Sequence, residues 1–225
     1  MENQPKHIGI ILDGNRRFAK KLLLEPWKGH ELGAEKIEKL FDWCDELGIL
    51  EVSLYCFSTE NFDRPKKEFD FLMKLFKKEF SKYLENEKIM NKGIKIRFIG
   101  EKDRFDGELQ ELMARLEKKT ERNSKFIFNF CMGYGGRQEI VEAVSKLVKS
   151  RLPVTFENLK NNLWLSSEPD LIIRTGGEIR TSNFLPFQSA YSEWFFLDKM
   201  WPEFEKQDLI NCLEEFKNRE RRFGR

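Results

Sequence analysis

Apolar residues lie along this chain in two alternating kinds of segment. Short runs rich in β-branched and aromatic residues predict buried strands at 7–12, 51–57, 94–99, 126–132, 170–174 and 192–197. Longer stretches with helical periodicity predict helices at 31–47, 66–85, 106–121, 135–149, 156–163 and 205–220. Gly48 and Gly93 stand where the first two helices should end. The alternation predicts an α/β fold with a central, mostly parallel six-stranded sheet, right-handed crossovers and flanking helices.

No internal repeat, low-complexity segment or linker rich in proline and glycine divides the chain, so residues 1–225 are expected to form one domain. The longest irregular stretch is 175–191. In open parallel sheets, ligands bind where loops leave the carboxyl ends of the strands. The loops after residues 12, 57, 132 and 174 are therefore expected to converge on one site.

Composition narrows the range of partners and compartments. The 40 basic and 38 acidic residues nearly cancel, so a nucleic-acid partner is not expected. The four cysteines are widely spaced and form no Cys-x-x-Cys pair, which is typical of free thiols in a reducing cytosol. The amino terminus lacks the apolar region of a secretory signal, and no apolar stretch is long enough to span a membrane. These features predict a soluble, cytoplasmic protein.

The end of the first predicted strand carries candidate chemistry in Asp13-Gly14-Asn15-Arg16-Arg17. A flexible glycine and two guanidinium groups at a strand-to-helix turn suit a diphosphate. Asp13 is a candidate Mg²⁺ ligand, because that ion commonly uses one or two carboxylates together with substrate phosphates. The same residues are typical of a plain turn and helix N-cap, and for this motif alone that is the favoured interpretation.

Two later loops repeat this kind of chemistry. Residues 57–65 place Ser58 and Arg64 after the second strand, although an ordinary capped loop has the same composition. Residues 174–184 place two arginines and a hydroxyl around a Gly-Gly pair, which predicts a second anion pocket or else a solvated basic loop.

The order and sequences of these three loops resemble those of the cis-prenyltransferases, the undecaprenyl diphosphate synthase family. The resemblance covers nearly the whole chain and includes Gly29-His30-x-x-Gly33 and the segments 133–137, 188–193, 201–204 and 221–224. Each motif is weak by itself, whereas the ordered set is specific. The resemblance implies a homodimer of α/β subunits with an apolar tunnel between sheet and helices. It also implies Mg²⁺-assisted condensation of isopentenyl diphosphate with an allylic primer, farnesyl or geranylgeranyl diphosphate, in the cis configuration.

The resemblance also assigns roles to residues of this chain. Asp13 is implied as a metal ligand, and the implied allylic diphosphate-binding residues are Gly14, Asn15, Arg16, Arg17, His30 and Arg64. The implied isopentenyl diphosphate-binding residues are Arg174, Arg180 and Ser182, joined by Arg222 and Gly224 of the neighbouring subunit. Glu193 is implied as a second metal ligand across the dimer. Asp13, Asn15 and Ser58 are the catalytic candidates, and the proton relay is open between Asn15, Ser58 and the departing diphosphate.

Helix 66–85 carries an apolar stripe of a kind that more often belongs to a core helix than to a ligand tunnel. In the family the corresponding helix lines the tunnel that shelters the growing chain. The predicted tunnel residues are Phe18, Phe62, Leu72, Phe76, Phe126, Phe128 and Phe130. Bulky floor residues would limit chain length, which predicts a short or medium product. A transient contact with a membrane surface is expected for release of that product.

The chain departs from the bacterial pattern at two places. Arg16 stands where many bacterial members have glycine. Archaeal and eukaryotic members often have arginine at this position, which indicates an archaeal-type variant. Pro26 stands where bacterial relatives often have an arginine, and Lys28 is the candidate substitute. The alternative of a non-catalytic partner subunit of a heteromeric prenyltransferase is disfavoured because the catalytic loop is retained. A nucleotide-using phosphotransferase is disfavoured because no Gly-x-x-x-x-Gly-Lys-Ser/Thr run is present.

Overall fold

The computed structural model describes residues 4–219, and six strands within that range form one sheet. The strands are β1 (His7–Ile11), β2 (Glu51–Ser58), β3 (Ile94–Ile99), β4 (Phe126–Tyr134), β5 (Leu171–Arg174) and β6 (Glu193–Phe196). They pair in the order β3-β4-β2-β1-β5-β6, and every pairing in the described chain is parallel. The predicted six-stranded sheet is confirmed, and each strand lies within two residues of its predicted bounds.

Helices connect and cover these strands. They are α1 (Asn15–Lys21), α2 (Gly29–Leu47), α3 (Lys66–Glu85), α4 (Glu87–Asn91), α5 (Gly107–Thr120), α6 (Gly136–Lys149), α7 (Phe156–Asn162) and α8 (Lys206–Asn218). Between residues 4 and 219, no helix combines the length and apolar character that a bilayer crossing needs.

The two predicted helix stops have different outcomes. Gly48 ends α2 in the left-handed conformation, with a φ of 68°, as expected. Gly93 does not end α3, because α3 already ends at Glu85 and the separate helix α4 follows. Asn86 starts that helix by accepting a hydrogen bond from the Lys88 backbone N–H (3.0 Å) at its side-chain oxygen. The predicted helix 66–85 has the same bounds as α3, whereas α4 was not predicted.

The core lies mainly between one face of the sheet and helices α2 and α3. Residues of β1 and β5 are buried along their whole length, because both faces of these central strands are covered. The larger cluster joins Ile10 of β1 to Phe41 of α2 and Phe80 of α3. A smaller cluster on the other face contains Ile11, Ile172 and Phe184.

The strand register brings the predicted site loops to one edge. Ile11 at the end of β1 lies beside Tyr55 of β2 and Arg174 of β5. Tyr55 in turn lies beside Cys131 of β4. The loops that follow β1, β2, β4 and β5 therefore all leave the carboxyl edge of the sheet, as the sequence predicted.

Candidate active site

A cleft opens at this carboxyl edge. Its polar entrance, called the mouth below, is lined by Leu12, Asp13, Gly14, Asn15, Arg16, Arg17, Lys20, His30 and Arg64. These residues come from the end of β1, the first helix, the first turn of α2 and the residue pair that precedes α3. All six residues predicted to bind an allylic diphosphate therefore lie together with Asp13.

Asp13 is held by its backbone and by two guanidinium groups. The Trp201 backbone N–H donates to the Asp13 carbonyl (2.9 Å), and the Thr175 hydroxyl donates to the same oxygen (2.8 Å). In the side chain, Oδ2 pairs with Nη2 of Arg174 (2.8 Å), while Oδ1 lies 3.4 Å from Nη2 of Arg17. The carboxylate is thus fixed at the rim of the mouth with positive charge on two sides.

Two glycines allow the loop after β1 to take this shape. Gly14 has a φ of 100°, and a Cβ there would lie 2.8 Å from Cβ of Met200. A Cβ on Gly33 of α2 would lie only 2.3 Å from Oδ1 of Asn15. The motif around His30 therefore has a steric reason, since a larger residue at Gly33 would displace Asn15.

The two candidate proton relays have different surroundings. Asn15 is buried, its amide donates to the Leu12 carbonyl (2.8 Å), and its Oδ1 has no hydrogen-bond partner within residues 4–219. Ser58 and Asn61 form a reciprocal cap after β2, in which the Ser58 backbone N–H donates to Oδ1 of Asn61 (3.0 Å). Both residues of this cap line the cleft. Asn61 was not among the predicted site residues, although it is a polar residue of the predicted loop.

Glu68 is a site residue that the sequence analysis missed. Its side chain is only 4% exposed, and its Oε1 lies 2.9 Å from Nη1 of Arg64. Its two oxygens also lie 3.7 Å from Nη1 of Arg16 and 4.0 Å from Nε2 of His30. This one carboxylate therefore bonds to Arg64 and lies close to two further predicted diphosphate-binding side chains, those of Arg16 and His30. The sequence does contain an indication of the ion pair with Arg64, because Glu68 follows that residue by four positions at a helix start, a spacing common in ion pairs.

His30 is an uncharged group in this positive mouth. Burial lowers its pKa to about 3, and the charges of Arg64 and Arg16 act in the same direction. No hydrogen-bond partner of its Nε2 lies within the described chain. At neutral pH the imidazole therefore offers a neutral hydrogen-bonding group beside the arginines.

Arg174 connects the mouth to the predicted isopentenyl diphosphate residues. It is 3% exposed, and its Nη1 donates to the Arg180 carbonyl (2.5 Å) and to Oγ of Ser182 (2.7 Å). The Arg180 side chain points outward and pairs with Oε2 of Glu178 (2.5 Å). The structure thus brings Arg174, Arg180 and Ser182 together next to Asp13. The predicted residues Arg222 and Gly224 lie outside the described range.

An apolar cavity of about 230 Å³ continues inward from the mouth, and both parts of the cleft share Leu12, Asp13, Asn15, His30 and Arg64. Its apolar walls come from α2, α3 and the sheet. They include Ala34, Ile37, Leu72, Leu75, Phe76, Phe80 and Phe130. Three predicted tunnel residues therefore lie in the wall, namely Leu72, Phe76 and Phe130. The α2 wall was missed because its small and apolar positions resemble those of any packed helix.

Four predicted tunnel residues lie elsewhere. Phe126 and Phe128 share the face of β4 that carries Phe130, but they lie nearer the amino end of the strand. Phe128 packs edge-on against Phe41, with ring centroids 4.5 Å apart, in the core. Phe62 packs against Phe57 and Phe105, and Phe18 of α1 is half-buried beside the mouth without lining the cavity. The prediction assumed that all residues on this face of β4 line the same cavity. Only the part of the face near the carboxyl end of the strand reaches it.

Lys28, the candidate substitute for the arginine missing at Pro26, does not line the mouth. Its Nζ lies 3.4 Å from Oε2 of Glu31 and 5.5 Å from the ring centre of Phe71. The basic groups that line this mouth therefore do not include one from the turn at Pro26.

Glu193 is far from Asp13 within one subunit. It begins β6 and lies beside Leu171 at the start of β5, whereas Asp13 follows the end of β1. Its Oε2 pairs with Nη1 of Arg219 (2.8 Å). A role for Glu193 at the metal site thus requires a second subunit and stays a prediction.

The carboxylate chemistry of the mouth fits Mg²⁺. Within residues 4–219 no group of three or more His, Cys, Asp and Glu side chains is arranged to hold a metal ion. Of the residues that line the mouth, Asp13 alone carries a carboxylate. One carboxylate surrounded by anion-binding groups suits an ion that completes its shell with substrate phosphates and water.

Comparison with known proteins agrees with this geometry. Residues 11–224 match the family model described as putative undecaprenyl diphosphate synthase. The chain is 44% identical to an isoprenyl transferase of Thermus thermophilus, over 98% of this chain and 89% of that protein. It is 42% identical to the tritrans,polycis-undecaprenyl-diphosphate synthase (geranylgeranyl-diphosphate specific) of Thermococcus kodakarensis, over 99% and 88%. Archaeal sequences are thus among its relatives, as the archaeal-type resemblance predicted.

Solved structures show the same similarity. The crystal structure of lavandulyl diphosphate synthase from Lavandula x intermedia, in complex with dimethylallyl diphosphate, has a TM-score of 0.94 at 30% identity, with all of both chains covered. A probable undecaprenyl diphosphate synthase from Campylobacter jejuni has a TM-score of 0.86 at 34% identity, over 99% of this chain and 100% of that chain. The chain therefore belongs to the undecaprenyl diphosphate synthase family of prenyltransferases.

Proposed function

We propose that the protein is a cis-prenyltransferase that condenses isopentenyl diphosphate with an allylic prenyl diphosphate to give a cis-polyprenyl diphosphate. The observation that carries this proposal is the continuity of a basic mouth with an apolar cavity, which share Asp13, Asn15, His30 and Arg64. A prenyl diphosphate has the same polarity, with an anionic head and an apolar tail. Farnesyl or geranylgeranyl diphosphate is the proposed primer, and the name of the Thermococcus relative supports the second.

The allylic diphosphate is proposed to bind in the mouth. Arg16, Arg17 and Arg64 supply guanidinium groups that suit two-point binding of phosphate oxygens. Departure of the diphosphate builds negative charge, which these fixed positive groups stabilise. Asp13 would hold Mg²⁺, and the bound ion would neutralise part of the charge on the diphosphate.

Isopentenyl diphosphate is proposed to bind beside Arg174, Arg180 and Ser182. Because Arg174 bonds directly to Asp13, the two diphosphate sites adjoin, which favours reaction by proximity. The condensation also requires loss of a proton. Oδ1 of Asn15 lacks a partner within residues 4–219 and Ser58 lines the cleft, so both are placed to relay that proton, as is the departing diphosphate.

The growing chain is proposed to occupy the apolar cavity. Each buried five-carbon unit stabilises the bound state by roughly 3–4 kcal/mol, at about 0.8 kcal/mol per methylene. This burial keeps the product bound between additions and supports repeated condensation.

A homodimer is part of the proposal. Within one subunit Glu193 is far from Asp13, so the proposed role of Glu193 at the metal site needs the Asp13 of a second subunit. Apolar side chains on α6, α7 and the segment between them support it, because Val141, Val148, Val154 and Phe156 are exposed in the single chain. Light scattering on the purified protein should give twice the mass of one chain. A monomer that is fully active would remove Glu193 from the metal site.

A cytoplasmic enzyme that touches a membrane transiently, for product release, completes the proposal. Leu22, Leu23 and Leu24 follow α1 and are exposed, Leu23 by 96%. Lys20 and Lys21 lie directly before them, a combination that suits the interface of an anionic bilayer. Sedimentation with anionic vesicles should retain the protein, and the variant with all three leucines changed to serine should stay in solution. Equal sedimentation of both would exclude this surface.

The deciding experiment supplies labelled isopentenyl diphosphate and Mg²⁺ with geranyl, farnesyl or geranylgeranyl diphosphate in turn. Product length and double-bond geometry are then measured by chromatography and NMR. We expect cis-polyprenyl diphosphate from at least one primer, and none when a chelator removes Mg²⁺. No incorporation with any primer would overturn the proposal. The alternative of a non-catalytic partner subunit is not favoured, because the basic side chains of the mouth are assembled around Asp13.

A further inference from the structure

One carboxylate lies in the apolar wall of the cavity. The α3 residues that line it recur with the helical period, and they are Leu72, Leu75, Phe76, Glu79, Phe80 and Tyr83. Glu79 carries the one charged side chain of this set, yet it is only 8% exposed. The wall opposite, from α2, is apolar at Ala34 and Ile37.

This carboxylate is poorly compensated. Its Oε2 is buried and has no hydrogen-bond partner among residues 4–219. The neighbouring Lys82 pairs instead with Oε1 of Glu38 on α2 (2.8 Å). Burial raises the pKa of Glu79, while the charges of Lys82 and Lys78 act against that shift. A buried polar atom without a partner is unfavourable for folding, and such atoms are rare enough to require an explanation.

The position of Glu79 along the cavity suggests a function. Arg64 precedes α3 at the mouth, and Glu79 lies 13 residues after the first residue of the helix, or about 20 Å at 1.5 Å per residue. Carbon–carbon bonds of about 1.5 Å give about 5 Å for each extended five-carbon unit, so roughly four units span this distance. A farnesyl tail, which already has three units, would therefore reach the carboxyl group after about one addition, and a geranylgeranyl tail, which has four, would lie at it from the start.

We propose that Glu79 is a specificity-determining residue that limits the length of the prenyl chain. A tail that extends past Glu79 must separate its carboxyl group from water without offering a hydrogen bond, so further extension is disfavoured. This inference rests on the proposed function. It adds a polar stop inside the cavity to the steric limit set by bulky residues.

The test compares product length in matched variants, with labelled isopentenyl diphosphate and farnesyl diphosphate as substrates. Glu79→Met keeps the length of the side chain and removes the carboxyl group. We expect its products to be longer by at least one five-carbon unit. Glu79→Gln removes only the charge and is expected to shift length in the same direction. Glu85→Met removes an exposed carboxylate at the end of α3, outside the cavity wall, and should leave product length unchanged.

The outcomes separate this inference from the proposed function. Longer products from Glu79→Ala but not from Glu79→Met or Glu79→Gln would show that bulk limits the chain, and this would overturn the role of the carboxyl group. Unchanged length in all three folded variants, as judged by thermal unfolding, would also overturn it. If the unsubstituted enzyme makes no product with any primer, the proposed function itself fails and the inference falls with it.

Discussion

The guanidinium group of Arg174 donates to the carboxylate of Asp13, with Nη2 2.8 Å from Oδ2. Arg174 ends β5 and Asp13 follows β1, so this bond crosses the two neighbouring strands whose loops are proposed to bind the two substrates. The pair therefore couples the position of the proposed metal ligand to the proposed isopentenyl diphosphate site.

Asp13→Asn should lower kcat by at least 100-fold, which corresponds to about 2.7 kcal/mol of barrier. The amide cannot supply the negative charge that Mg²⁺ requires, while its oxygen can still accept from Arg174, so the fold should persist. Steady-state kinetics and circular dichroism measure the two effects. Glu111→Gln, at an exposed carboxylate of α5, is the matched control and should be fully active. Near-normal turnover of Asp13→Asn would remove Asp13 from the mechanism.

Glu68→Gln should raise KM for the allylic primer by about 10-fold, or about 1.4 kcal/mol, with a smaller change in kcat. The reason is that Glu68 bonds to Arg64 and lies close to Arg16 without lining the mouth itself. Initial rates over a range of primer concentrations measure the effects on KM and kcat separately. Glu108→Gln, which removes an exposed carboxylate of α5, should change neither constant. An effect on kcat alone would contradict a role in positioning the diphosphate-binding groups.

His30 should stay neutral throughout the physiological pH range. Its pKa in the folded protein is about 3, below the usual 6.5, so between these values the unfolded state binds more protons. The contribution of this group to stability is therefore complete above pH 6.5 and declines as the pH falls toward 3, by up to about 1.4 kcal/mol per pH unit.

Two measurements check this behaviour of His30. Its imidazole proton resonances should not titrate between pH 5 and 8, whereas a midpoint near 6.5 would contradict the buried, positively surrounded site. The free energy of unfolding of His30→Gln, measured in urea, should depend less on pH below 6.5 than that of the unsubstituted protein.

Phe130→Ala and Phe128→Ala form a matched pair on one face of β4. Both rings are buried, so each truncation should lower the free energy of unfolding by about 3–5 kcal/mol. Only Phe130 lines the cavity, so only Phe130→Ala should lengthen the product. Longer products from Phe128→Ala would show that the cavity extends further along the strand.

Gly33→Ala should lower activity by about 10-fold or more, because the new methyl group would displace Asn15 from the mouth. Gly107→Ala is the control, since a Cβ at that helix start meets no atom within 4 Å. We expect the control to be active and slightly more stable. Full activity of Gly33→Ala would show that the position of Asn15 is not critical.

Periodicity was sufficient to predict the sheet, because the buried strands are short apolar runs between helices of distinct period. It missed the short helix α4, which Asn86 starts with a side-chain hydrogen bond, and so Gly93 was wrongly assigned as the stop of the preceding helix. The outcome there depends on one local hydrogen bond, and a periodic pattern does not contain it.

For the site, sequence order placed the loops of Asp13, Arg64 and Arg174 at one edge, and the structure brings them together. Two aspects were not accessible from the sequence. The role of Glu68 depends on which side chains converge on it in space, and the difference between Phe128 and Phe130 depends on where the cavity ends.

The backbone at Asp13 is fixed by the hydrogen bonds from Trp201 and Thr175 to its carbonyl oxygen. Ordering a mobile loop residue on binding would cost about 1–2 kcal/mol. Here the residue is already ordered by folding, so binding does not carry that cost. Cation affinity at the proposed metal site should therefore depend on ionic strength, through charge screening, much more than on any disorder-to-order transition of the loop.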